Sequence, residues 1–183
     1  MVSGDEAAEP RPAQLPARRA PTDAERRALA SSLRLRILRM TLDEPLSNRE
    51  IAARLGRHPA TTLHHVRALV DNGFLVADPV RRGTRGAREI PYRATRLSWR
   101  LDMGEHGNDQ SAVMLETFLE EAGAAGVEHL RATRLGLRLT AEEYAEFEDR
   151  LQALFDEYEA RAASEGGRAW SVFVALHPDP GRT

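Results

Sequence analysis

The chain has 183 residues, 42% hydrophobic and 30% charged, a balance that suits one ordinary globular domain or two small ones. It has no cysteine, which excludes disulfides, zinc ribbons and thiolate metal sensing. No stretch approaches the roughly 18 apolar residues of a membrane span, and the N-terminal segment lacks the apolar core of a signal peptide, so a cytoplasmic protein is expected. All 26 basic residues are arginine, a usage that points to a GC-rich coding sequence. The net charge of −2 hides an asymmetry: residues 1–101 carry 19 Arg against 11 acids, and residues 102–183 carry 7 Arg against 17. A basic half joined to an acidic half fits a polyanion-binding module with a second domain that stays off the polyanion. Chance segregation of solvated charge fits as well on this ground alone.

In chain order, residues 1–21 hold Pro10, Pro12, Pro16 and Pro21 with little that is apolar, and a disordered tail is expected. Thr22 or Asp23 caps a helix over 23–30. Ser31 and Ser32 start another that runs to Leu42, with Leu33, Ile37, Leu38 and Leu42 on its apolar face. Ser47-Asn48-Arg49-Glu50 is a capping box opening a short helix that buries Ile51, Ala52 and Leu55. Gly56 stops it. Pro59 fits the first turn of the next helix, which ends at Asn72-Gly73. Phe74–Val80 reads as a strand, Arg81–Glu89 as a hairpin tip, and Ile90–Thr95 as the returning strand, with Pro91 at an edge or at its start.

Short helix, tight turn and longer helix over Ser47–Asp71 is the pattern of a helix-turn-helix, whose second helix enters the major groove. At 100° per residue, Thr62, Val66, Leu69 and Val70 share the core side. The opposite side carries Arg57, Ala60, Thr61, His64, Arg67 and Ala68. Ala60 and Thr61 are small enough for close approach, and Thr61 and His64 suit base edges. Arg57 and Arg67 suit phosphates, as do Ser47, Asn48 and Arg49 at the start of the preceding helix, and His58 is a further DNA-contact candidate. His65 lies between the faces, where a structural hydrogen bond is at least as good a reading as DNA contact. Adjacent histidines do not converge on a helix, so no metal site is read there. The hairpin tip holds Arg81, Arg82, Thr84, Arg85 and Arg88 with Gly83 and Gly86, a cationic finger suited to a wing on the backbone or in the minor groove.

The segment from Ala28 to Thr95 resembles the winged helix-turn-helix of the ArsR family of bacterial repressors. The resemblance rests on Leu33-Arg34-Leu35-Arg36-Ile37-Leu38, Glu50-Ile51-Ala52, His64-His65-Val66-Arg67-Ala68-Leu69 and Asn72-Gly73-Phe74-Leu75-Val76. It covers a little over a third of the chain. It implies a homodimer on a near-palindromic operator, usually repressing and switched by an effector. Metal-sensing members place cysteines on the helix before the recognition helix. Ile51–Leu55 has none, so that mechanism is not carried over.

Leu101–Gln110 reads as a linker, with 101–109 as its span, and residues 110–183 as a dimerisation or effector domain of helix, strand, helix and strand. The helix over 110–125 places Met114, Leu115, Phe118, Leu119 and Ala122 on one face and is the leading dimerisation candidate. Leu135, Leu137 and Leu139 alternate with polar residues as in a strand, and so do Trp170, Val172, Val174 and Leu176. Between them, Thr140-Ala141-Glu142-Glu143 caps the longest helix, to Ala163, with a stripe of Tyr144, Phe147, Leu151, Leu154 and Tyr158. That stripe suits a core or a dimer seam. The two strands would pair under the helix or complete a sheet across a dimer. Trp99, Phe118, Tyr144, Trp170 and Phe173 could line an effector pocket but read more simply as core. Glu105, His106, Asp109 and His129 match no compact metal motif.

The expected fold is mainly α with a small β component. The expected function is sequence-specific binding of double-stranded DNA by a homodimeric transcriptional repressor without enzymatic activity, cofactor or metal. A small-molecule effector is left open. The alternatives are a winged helix that binds protein, or an enzymatic C-terminal domain docked through the winged helix.

Overall fold

The computed structural model describes residues 18–83, 86–104 and 108–182, without the side chains of Asn108 and Asp109. Two compact units emerge, one over 17–131 and the other containing 132–183. The first 17 residues of the expected tail lie outside the described part.

Local capping sets the helices of the first unit. Helix α1 spans Asp23–Leu29, and the Thr22 hydroxyl accepts from the Glu25 amide while the Glu25 carboxylate accepts from the Thr22 amide. Arg34 donates to the carbonyls of Ala28 and Arg27 and so satisfies the other end of this helix. Helix α2 spans Ser32–Met40. The Thr41 hydroxyl donates back to the Ile37 carbonyl at 2.9 Å, which closes the helix before Leu42. Strand β1, Leu46–Ser47, leads into α3, Asn48–Leu55. Gly56 ends α3 at φ 61°, a left-handed conformation that costs glycine nothing. Helix α4 spans Pro59–Asp71.

Strand β2, Leu75–Ala77, is followed by a hairpin of β3, Arg81–Arg82, and β4, Arg88–Glu89, and then by β5, Pro91–Ala94. The main sheet has the order β1-β5-β2, all antiparallel. Pro91 sits in the central strand, tolerated because it is the first residue. Ile37, Ile51, Val66, Leu69, Phe74 and Leu75 form the core between the helices and the sheet. The expected inward faces of α2, α3 and α4 are thus the buried ones. Leu42, just past α2, stays outside this core.

One described residue from each of two segments read as loose is held in the fold. Arg19 and Leu101 form a parallel bridge, with the Arg19 amide donating to the Arg100 carbonyl at 3.1 Å and the Asp102 amide to the Arg19 carbonyl at 2.8 Å. Leu101 is buried in the core. Arg19, near the end of the expected tail, is thus held by backbone pairing that composition does not reveal. Arg18 lies over the Trp99 ring, 4.6 Å from its centre. Arg18 and Arg19 are thus engaged within the unit. Helix α5, Asn108–Ala125, packs on α2, with Arg39 paired to Glu121 at 2.8 Å and Arg36 to Glu120 at 3.4 Å. This packing places α5 in the first unit, and the chain divides after Arg131.

In the second unit, helix α6 spans Ala141–Ala160 behind a Thr140–Glu143 capping box. No α6 residue is buried, so its apolar stripe is not an intramolecular core. Residues 130–140 and 167–179 carry no regular secondary structure, and neither joins a sheet. The expected strands over 134–139 and 170–176 are absent, because an alternating pattern makes a strand only when another strand accepts its hydrogen bonds. Trp170 is 71% exposed and Leu135 likewise.

Candidate nucleic-acid interface

Helix α4 turns Thr62, Val66 and Leu69 into the core, and this orientation leaves the opposite face to solvent. Arg57, His58, Ala60, Thr61, His64 and Arg67 are all exposed there, as the spacing predicts. His58 is the N-cap, and its Nδ1 accepts from the Ala60 amide at 3.2 Å. That bond assigns the ring hydrogen to Nε2. The two neighbouring histidines diverge, their rings at 71° with centres 5.6 Å apart. His64 is exposed, whereas His65 is half-buried with no partner for its Nδ1. Burial lowers the pKa of His65, helped by the nearby positive charges of Arg34 and His64, which favours the neutral ring. The structural hydrogen bond expected for His65 does not form at Nδ1.

The residues at the start of α3 part company. Ser47 is only 3% exposed, and its hydroxyl accepts from the Glu50 amide. It serves as a cap within the fold and is not presented with the exposed residues. The Asn48 amide nitrogen donates to the Pro59 carbonyl at 2.9 Å, which ties the starts of α3 and α4 together. Arg49 is exposed but paired with Glu89 at 3.2 Å.

The wing is a two-faced hairpin. Arg81 stands opposite Glu89, and Arg82 opposite Arg88. Directly opposed residues of an antiparallel pair share a face, and successive residues alternate. One face therefore carries Arg81 and Glu89, and the other carries Arg82 and Arg88. The first face meets the start of α3, where Arg81 pairs with Glu50 and Glu89 with Arg49. On the second, two arginines oppose each other, an arrangement that costs stability unless an anion lies against it. Gly83 and Gly86 shape the turn, with the Gly86 amide donating to the Gly83 carbonyl at 3.1 Å. Thr84 and Arg85 lie outside the described residues.

Glu50 is subject to opposing influences. Burial pushes its carboxyl up, but hydrogen bonds from the Ser47 amide and hydroxyl, with the charges of Arg81 and Arg54, hold it below its ordinary value. Among the described residues, Arg57, Arg67, Arg82 and Arg88 have no acidic partner, whereas Arg49 and Arg81 do. The sequence reading missed Glu50 and Glu89 as parts of this region. Their signal was an acid within an otherwise arginine-rich segment.

Trp99 and Phe118 belong to the first unit, and Tyr144, Trp170 and Phe173 to the second. Glu105, His106 and the Asp109 side chain lie outside the described residues, and His129 is exposed beside Glu128. Among the described residues no group of three His, Asp or Glu is placed to hold a metal ion. No described helix is long and apolar enough to cross a membrane.

Residues 29–78 match a family model described as a helix-turn-helix domain. This match falls within the segment whose motifs resemble the ArsR family, and the β-hairpin beyond it makes the domain a winged one. Similar solved structures include reduced HlyU from Vibrio cholerae, at 23% identity over 51% of this chain and 81% of that one, with a TM-score of 0.32. Another is the homodimeric winged helix-turn-helix DNA-binding domain Mb0332 from Mycobacterium bovis, described as a possible ArsR-family transcriptional regulator. It shares 26% identity over 61% of this chain and 82% of its own, with a TM-score of 0.33. A third is ZitR from Lactococcus lactis, at 21% identity over 70% and 83%, with a TM-score of 0.34. No curated protein matches the chain.

Proposed function

We propose that this chain is a sequence-specific DNA-binding transcriptional regulator that works as a homodimeric repressor under a signal other than thiolate chemistry. The observation that carries this reading is the exposed face of α4. Ala60, Thr61 and His64 present small and hydrogen-bonding groups, flanked by Arg57 and Arg67 and accompanied by the Arg82–Arg88 face of the wing. Small residues permit close approach to a groove, Thr61 and His64 have the donors and acceptors to read base edges, and unpaired guanidiniums attract phosphates. The helix-turn-helix match supports the same reading. Helix α5 supports the dimer: it sets Gln110 and Thr117 inward, while Leu115 and Leu119 remain exposed, Leu119 by 60%. Apolar side chains repeated along one helix face suit a second copy of the same helix.

Enrichment of duplexes from a randomised pool, followed by binding of the winner, tests the reading. The expected result is one enriched, near-palindromic sequence bound by two copies and weakened by T61A or H64A. Equal neglect of enriched and random duplexes at low salt would exclude it.

A further inference from the structure

We infer that Glu50 and Glu89 are positioning residues of the DNA interface, clamping one face of the wing to the start of α3 so that Arg82 and Arg88 are aimed outward. This rests on the DNA-binding reading above. Two acids beside a polyanion-binding surface should weaken binding if they act only through their charge. Their geometry indicates another role. The pairing is crossed: Arg81 of the wing reaches Glu50 of α3, and Arg49 of α3 reaches Glu89 of the wing. Each element thus gives one acid and one base, and the two bonds together resist rotation of the hairpin as one alone would not. The Glu89 side chain is only 11% exposed. It lies against Gly83, where a Cβ would collide with its carboxylate. Glu50 is held independently, since its carboxylate also accepts from the Ser47 amide at 2.7 Å. The wing is therefore fastened to a group that the helix cap has already placed. Because Arg81 and Glu89 are drawn to α3, the alternation of the strands leaves Arg82 and Arg88 on the other face.

The test compares E50Q, E89Q and their combination with wild type, using the duplex that wild type enriches from a randomised pool and an unrelated duplex of equal length. Glutamine keeps the cap at Ser47, so circular dichroism and melting should stay close to wild type. G83A is the second kind of variant: it displaces the Glu89 carboxylate and leaves every charge in place. The clamp predicts that the double glutamine variant binds the enriched duplex ~3- to 10-fold more weakly, the range of two surface ion pairs, and that G83A, which breaks one of them, binds it ~2- to 3-fold more weakly. Unchanged or tighter binding of the enriched duplex by either variant overturns the inference, since the acids would then act as mere repelling charges. If wild type enriches no duplex and binds none, the DNA-binding reading itself has failed.

Discussion

The unpaired arginines make the salt dependence of DNA binding a quantitative test. Arg57, Arg67, Arg82 and Arg88 have no acidic partner among the described residues, and on the proposed reading each neutralises one phosphate. Counterion release then gives a slope of log Kobs against log salt near −3.6 for one copy and about −7 for two. Raising salt from ~50 to ~200 mM should weaken the two-copy complex on the order of 10⁴-fold. R67Q removes one phosphate contact per copy and should make the slope shallower by about 1.8. R49Q should change it less, because Glu89 already neutralises Arg49. Fluorescence anisotropy of a labelled enriched duplex across a KCl series measures all three. A wild-type slope shallower than about −2, or an R49Q effect as large as that of R67Q, would refute the assignment.

Three predictions concern the scaffold. F74A removes a ring that is 1% exposed at the centre of the core and should cost ~3–5 kcal/mol in urea unfolding. G56A meets no neighbouring atom but forces alanine to φ 61°, so ~1–2 kcal/mol of destabilisation should arise from the backbone alone, seen as a lower urea midpoint with unchanged m-value. The hydrogen bond from Arg19, with a second from the Thr22 amide, lowers the Glu25 pKa from 4.5 to about 2. Its folded pKa is the depressed one, so its contribution is complete above pH 4.5 and is lost as pH falls toward 2. Stability measured against pH should show a shallower acid limb in E25Q across that window.

What could be read directly from residues was what short-range chemistry decides. The Thr22–Glu25, Ser47–Glu50 and Thr140–Glu143 boxes start helices because each pair closes its own hydrogen bonds three residues apart. Pro59 and Gly56 likewise bracket the turn before α4, and the 3.6-residue period then dictates that Thr61, His64 and Arg67 face away from Val66 and Leu69. The arginine-rich hairpin was legible for the same reason.

Tertiary structure decided everything that needed a distant partner. Leu46–Ser47 became a strand only because β5 accepts it some 45 residues later, and the Arg19 backbone is held by its bridge beside Leu101, some 80 residues on. The strand pattern of Leu135–Leu139 and Trp170–Leu176 produced no sheet, since a ladder requires a second strand and side-chain alternation does not supply one. The division among arginines followed the same rule. Arg81 and Arg82 are neighbours in sequence, yet strand alternation turns one to Glu50 and the other to solvent. Local pattern established which residues carry charge, and packing determined which of those charges remain available.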